Sequence, residues 1–251
     1  MVKRLFWLSL LTFLSGCYYL QRPIAPIEQA HYPAEAGYVY QPSAPTTRAP
    51  DLLIMLPGMG DGIDRFAREG LIEQVKQAQL PLDVVVVNAH FNYYRSRSLL
   101  TRLQADVIAP AKNAGYRHIH LAGVSLGGFG TLLYWRDKAP LDSALLLTPY
   151  LGEPEYYQHR LEPSARPQAL DEEKNLWPWL EQQTPRMREH WYLGMAREDE
   201  FYTANALLAD MLAPEHTVRV EGGHNWNSWR ELWPQLLSQL KRDFYSQGNH
   251  L

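Results

Sequence analysis

Five short apolar runs without regular polar alternation, followed by a shorter sixth, constrain this chain more than any other feature in it. They are Asp51–Leu56, Leu82–Val87, residues 119–122, residues 144–147, residues 191–194 and the shorter Thr217–Val220. A strand with one face in water alternates, whereas a strand apolar on both sides belongs to a sheet covered on both faces. Helical patterns lie between the runs. Leu100, Leu103, Val107 and Ala111 recur at helical spacing before Gly115, an alanine- and leucine-rich stretch over 204–212 stops before Pro214, and 229–244 closes the chain. Strands alternating with helices imply right-handed crossovers, hence an α/β fold with a doubly wound, mostly parallel sheet. At 251 residues and 46% hydrophobic, the chain suffices for one such domain. The alternation breaks over 150–188, which is punctuated by prolines and rich in Tyr and Trp. This reads as an insertion over the sheet's carboxyl edge, serving as a lid or substrate wall, or else as a surface excursion.

The third run leads directly into Gly123-Val124-Ser125-Leu126-Gly127, and Gly128-Phe129-Gly130 then opens a helix. Strand, glycine-flanked serine and helix is the context that gives a G-x-S-x-G pattern meaning. The turn is too sharp for side chains at its flanks, so glycines occupy them. The hydroxyl is thereby raised at the carboxyl end of a parallel sheet.

Such a hydroxyl needs a base, and the base an orienting carboxylate. Among nine histidines, His224 in Glu221-Gly222-Gly223-His224-Asn225-Trp226 has the best setting, since it follows the last strand and two glycines. His118 and His120 share one strand face and read as packed or surface residues, while His90 follows a strand and could line a pocket. The carboxylate falls between serine and histidine in chain order for this arrangement. Asp199 sits just past the strand that starts at Trp191, with Glu198 and Glu200 as alternatives. Two backbone N–H donors are needed for a developing oxyanion. Leu126 at the helix start supplies one, and Met59, between Gly58 and Gly60 after the first run, the other. A dinucleotide loop at Gly58-Met59-Gly60 is excluded by the misplaced third glycine and the missing acidic residue. Asp61 and Asp64 lack the partners of a metal site, so neither metal nor cofactor is expected. Trp226, Trp229 and Trp233 share a helix face and read as core. Asn92, Tyr93, Tyr94 and Arg95 stand at the carboxyl edge, where they shape a pocket or merely cover surface.

The amino terminus is a targeting segment. Lys3-Arg4 precedes an apolar stretch of about ten residues, well short of the roughly 20 that span a bilayer. It ends in Leu14-Ser15-Gly16-Cys17, which resembles the lipobox of bacterial lipoproteins. That resemblance implies cleavage after residue 16 and acylation of Cys17, the single cysteine of the chain. Tyr18 in the next position resembles the default outer-membrane case of Gram-negative lipoproteins. Residues 17–36, with Pro23, Pro26 and Pro33, read as a tether, and Gly37-Tyr38-Val39-Tyr40 as an early edge strand opening the domain at 37–251. A net charge of −3 provides no basic field for nucleic acid.

Taken together, residues 37–244 resemble the α/β-hydrolase superfamily, with elbow, oxyanion loop, acid and histidine in family order. Gly223-His224-Asn225-Trp226-Asn227-Ser228-Trp229 is similar to the G-H-x-W-x-x-W of the esterase-D-type branch, which includes siderophore esterases and mycolyl transferases. The resemblance implies hydrolysis of carboxylic esters by Ser125, with His224 as base, Asp199 as orienter, and Met59 and Leu126 as oxyanion donors. Pro57-Gly58 departs from the His-Gly common at the oxyanion loop. An acyltransferase or a thioester or amide hydrolase would use the same residues, and a non-catalytic binding lipoprotein is the remaining alternative. The expected partners are a small ester substrate and a membrane reached through the lipid.

Overall fold

The computed structural model describes residues 21–34, 48–138, 141–162, 171, 174–183 and 188–246. The signal segment, Cys17 and the strand expected at Gly37–Tyr40 lie outside the described residues.

Seven strands form one sheet: β1 (Gln29–Tyr32), β2 (Asp51–Leu56), β3 (Leu82–Val87), β4 (His118–Val124), β5 (Ser143–Leu147), β6 (Trp191–Ala196) and β7 (Thr217–Val220). Their order is β1-β3-β2-β4-β5-β6-β7. All neighbours are parallel except β1, which runs antiparallel to β3. All six apolar runs are strands, and β2, β3, β5 and β6 are buried at every position.

Described helices cover both faces. On one side lie α1 (Arg65–Arg68), α2 (Leu71–Gln77) and the closing α10 (Trp226–Ser246). Their Phe66, Leu71, Val75, Trp233 and Leu236 pack with Leu53, Met55, Val84 and Val86 of the sheet. The other side carries α3 (Phe91–Arg95), then a rod made of α4 (Leu99–Arg102), a π-helical turn (Leu103–Ile108) and α5 (Ala109–Asn113). Next come α6 (Leu126–Asp137), α7 (Pro154–Leu161), α8 (Trp177–Gln182) and α9 (Tyr202–Ala209). They cover Leu52, Ile54, Leu56, Leu121 and Leu146. Burial on both faces is why the central strands carry no polar alternation.

Two expectations are corrected. The tether does not extend over 17–36, because Gln29–Tyr32 is already part of the sheet and Ile27 is fully buried. The Ile27 N–H donates to Asp106 Oδ2 at 2.8 Å, and Gln29 Nε2 donates to the Asp106 carbonyl at 3.0 Å. This strand covers an edge of β3 that would otherwise present unpaired backbone groups. The insertion, in turn, meets the carboxyl edge at its start, where Tyr150 N–H donates to the Ser125 carbonyl at 3.1 Å, but α8 packs elsewhere. Trp177 of α8 is fully buried and donates from Nε1 to the Leu151 carbonyl at 2.9 Å. Trp179 stacks at 5.5 Å on Trp191, the first residue of β6, so α8 reaches the amino-terminal side of the sheet. Of the insertion's helices α8 is thus core, through Trp177 and Leu180, whereas α7 buries Tyr157 alone.

Candidate active site

Ser125 occupies the turn between β4 and α6 with φ 53°, a left-handed backbone that a side-chain-bearing residue seldom adopts. Strain of this kind, about 1–3 kcal/mol, persists only where the surroundings enforce it. They do so here through close backbone contacts. A Cβ on Gly123 would meet the Gly127 carbonyl at 2.2 Å, and one on Gly127 would meet the Leu56 carbonyl oxygen at 2.1 Å. The Ser125 N–H donates to the Leu147 carbonyl at 2.9 Å, and its own carbonyl accepts from Tyr150 N–H at 3.1 Å. Both glycines are therefore required by the approach of the neighbouring backbone.

Three side chains named from the sequence meet at this turn. His224 Nε2 lies 2.8 Å from Ser125 Oγ, and His224 Nδ1 lies 2.8 Å from Asp199 Oδ2. A carboxylate facing Nδ1 holds the proton there and leaves the Nε2 lone pair toward the hydroxyl. Asp199 is buried, and its other oxygen accepts the Phe201 N–H at 2.8 Å. Glu198 and Glu200 are exposed. The loops carrying acid and base are joined beyond the strand ends, with Arg197 N–H donating to Val220 O at 3.0 Å and Glu198 N–H to Gly222 O at 2.9 Å. Gly222 takes φ 98°, and Ser228 Oγ donates to the Gly223 carbonyl at 2.8 Å, which fixes the bend that carries His224.

The loop after β2 adjoins the same turn. A Cβ on Gly58 would stand 3.7 Å from Ser125 Cβ, and one on Gly127 would meet the Pro57 carbonyl oxygen at 2.7 Å, so the backbone at Pro57 and Gly58 lies against the serine turn. The Met59 side chain points outward, 56% exposed. Leu126 opens α6, where the first N–H groups lack intrahelical acceptors. In the same loop burial raises the pKa of Asp61, opposed by Arg65, whose Nε lies 3.7 Å away.

Sequence reasoning missed several neighbours. Thr148, fully buried at the end of β5 with φ 40°, places Oγ1 3.2 Å from His224 Nδ1 and accepts the Trp229 Nε1–H at 2.8 Å. Trp229 and Phe201 meet the imidazole edge-on, with ring centroids 5.0 and 4.7 Å away. Tyr150 extends this aromatic group toward Phe129 and Phe201. No spacing rule points to a threonine there; only the β5–β6 pairing brings it to the histidine. Trp229 and Trp233 are buried as expected, while Trp226 is half-buried against Phe66.

Other candidates stand apart. His120 is buried with Nδ1 2.7 Å from Ser143 Oγ, and His118 pairs with Asp51 at 3.0 Å. His90 packs on Tyr93 at 4.5 Å, and burial lowers its pKa. Of the group at 92–95, Asn92 and Tyr93 hold the amino-terminal segment. Asn92 Nδ2 donates to the Gln21 carbonyl at 2.6 Å, and Tyr93 Oη accepts from Ile24 N–H at 3.0 Å.

No protein-family model and no curated protein matches the sequence. Solved structures do match. An S-formylglutathione hydrolase, FrmB, from Staphylococcus aureus is 14% identical over 87% of this chain and 98% of its own, with a TM-score of 0.59. Est1E from Butyrivibrio proteoclasticus is 16% identical over 90% and 98%, at 0.58, and a structure of it with ferulic acid bound also matches. A ferulic acid esterase is 17% identical over 76% and 84%, at 0.55. At these identities the likeness is one of fold. The chain has the α/β-hydrolase fold.

Proposed function

We propose that the protein is a serine hydrolase that cleaves carboxylic esters through an acyl-enzyme on Ser125. The observation that carries this is the unbroken chain Asp199–His224–Ser125, with 2.8 Å at each link, built on a strained strand-to-helix turn. His224 Nε2 takes the hydroxyl proton as Oγ attacks the ester carbonyl, and Asp199 stabilises the imidazolium. The N–H groups of Leu126 and Met59 receive the oxyanion, aided by the positive end of α6. Collapse expels the alcohol, which leaves with the proton from His224. Water, deprotonated by the same nitrogen, then releases the acid and regenerates the serine. The Tyr150, Phe129 and Phe201 rings beside the site favour an apolar or flat acyl group, in keeping with the ferulic acid bound by Est1E. Cys17 carries the lipid that holds the enzyme in a bacterial envelope, at the outer membrane facing the periplasm or the exterior.

A fluorophosphonate probe and a panel of p-nitrophenyl esters of rising chain length, with methyl ferulate, test the reading. Wild type should label and turn over esters. Ser125→Ala should not label and should lose about 10³-fold or more in turnover. Labelling at another serine in that variant would refute the assignment. Labelled palmitate should enter the wild type and be absent from Cys17→Ser, whose domain should still hydrolyse soluble esters. An unmodified Cys17 in the wild type would refute the anchor.

A further inference from the structure

The path of the amino-terminal segment bears on how an anchored enzyme would sit. β1 runs antiparallel to β3, with Gln29 opposite Val87 and Tyr32 opposite Val84. Residues preceding Gln29 therefore emerge where β3 ends, at the carboxyl edge of the parallel strands. Ser125, Asp199 and His224 all follow strand ends at that same edge. The segment is fastened there. Gln21 O accepts from Asn92 at 2.6 Å, and Tyr93 Oη accepts from Ile24 N–H and donates to Ile24 O at 3.0 and 3.2 Å. Glu28 O accepts the Asn88 N–H at 2.9 Å.

We infer that the lipid anchor presents the carboxyl edge of the sheet, and with it the mouth of the active site, to the bilayer surface, so that the enzyme takes its ester from the membrane interface. This rests on acylation of Cys17 and on the hydrolase reading above. The steps from Cys17 to Gln21 reach at most about 14 Å even when fully extended. From β1 to β4, three strand spacings add about 14 Å across the sheet. A leash this short leaves no room to turn the opposite edge toward the lipid. Apolar exposure agrees: Ile24 and Met59, two of the three large apolar side chains more than half exposed among the described residues, are on segments leaving this edge. Tyr18 and Tyr19, between the anchor and Gln21, are of a residue type enriched at membrane interfaces.

The test uses the full lipoprotein in vesicles of phosphatidylethanolamine and phosphatidylglycerol. Ile24→Cys carries a nitroxide, since the acylated Cys17 does not react. The label should be relaxed by oxygen dissolved in lipid and protected from a water-soluble nickel chelate. A flexible 20-residue Gly-Ser spacer inserted between Leu20 and Gln21 should reverse that pattern. It should also lower hydrolysis of p-nitrophenyl palmitate embedded in the vesicles several-fold, with soluble p-nitrophenyl butyrate unaffected. A label open to the nickel chelate without the spacer would overturn the inference. So would spin–spin broadening that disappears on dilution with unlabelled protein, which would assign the surface to a second copy. Palmitate on Cys17 and butyrate turnover are measured on the same samples, so failure of the anchor or of the hydrolase reading is distinguishable from failure of the orientation.

Discussion

Thr148 Oγ1 lies 3.2 Å from His224 Nδ1, the nitrogen that also faces Asp199 at 2.8 Å. The imidazole N–H is thus shared between a carboxylate and a hydroxyl, and that hydroxyl is itself held by the Trp229 indole N–H. A β-branched residue at φ 40° is a strained choice, and Thr148 N–H bonded to Gly194 O at 2.8 Å keeps it in place.

Thr148 is accordingly a positioning residue for the histidine. Thr148→Val keeps the branched shape and removes the oxygen. It should lower kcat about tenfold, the equivalent of one hydrogen bond, with KM little changed. Thr148→Ser should restore kcat. A Val variant with normal kcat would assign Thr148 to packing alone.

Asp199→Asn should reduce turnover by roughly 10⁴, because the amide favours the wrong imidazole tautomer. Glu198→Gln and Glu200→Gln should stay near wild type, since both residues are exposed while Asp199 is buried against the imidazole. Comparing the three by burst kinetics separates them; inactivity of either glutamine variant would move the acid to that position.

Most of the sheet was legible because its strands are buried on both faces. β2, β3 and β7 begin and end where the apolar runs do, and the strands between differ by only a few residues. The hydroxyl, imidazole and carboxylate were legible because glycines and strand ends marked each of them. β1 was not. Gln29-Ala30-His31-Tyr32 carries mixed polarity among prolines, and its order comes from pairing with β3, which sequence proximity does not report. Thr148 was hidden for the same reason. The insertion misled because its tryptophans suit a lid as well as a core, and only their contacts decide.

The amino-terminal segment should contribute measurably to stability. Ile27 is buried and Ile24 is exposed, although they stand three residues apart. In a chain beginning at residue 17 with Cys17→Ser, Ile27→Ala should lower the unfolding free energy by about 3 kcal/mol in urea. Ile24→Ala should be close to neutral, because its two hydrogen bonds to Tyr93 come from the backbone. Equal effects would show that the segment is not docked in solution.

Acid sensitivity should trace in part to His120. Burial, assisted by the neighbouring His118, pushes its pKa down to about 3, so the folded protein keeps this imidazole neutral. An unfolded chain protonates the same residue near its ordinary value of 6.5. Between these limits the unfolded state binds the extra proton, so stability rises with pH across that window and falls as pH drops from 6.5 toward 3. The contribution is fully present above 6.5. His120→Gln retains a polar partner for Ser143 and does not titrate. Thermal unfolding followed by circular dichroism from pH 7.5 to 4.5 should show a smaller fall in Tm for this variant than for wild type. Parallel curves for the two proteins would mean that His120 is protonated in the folded state and that the acid response arises elsewhere.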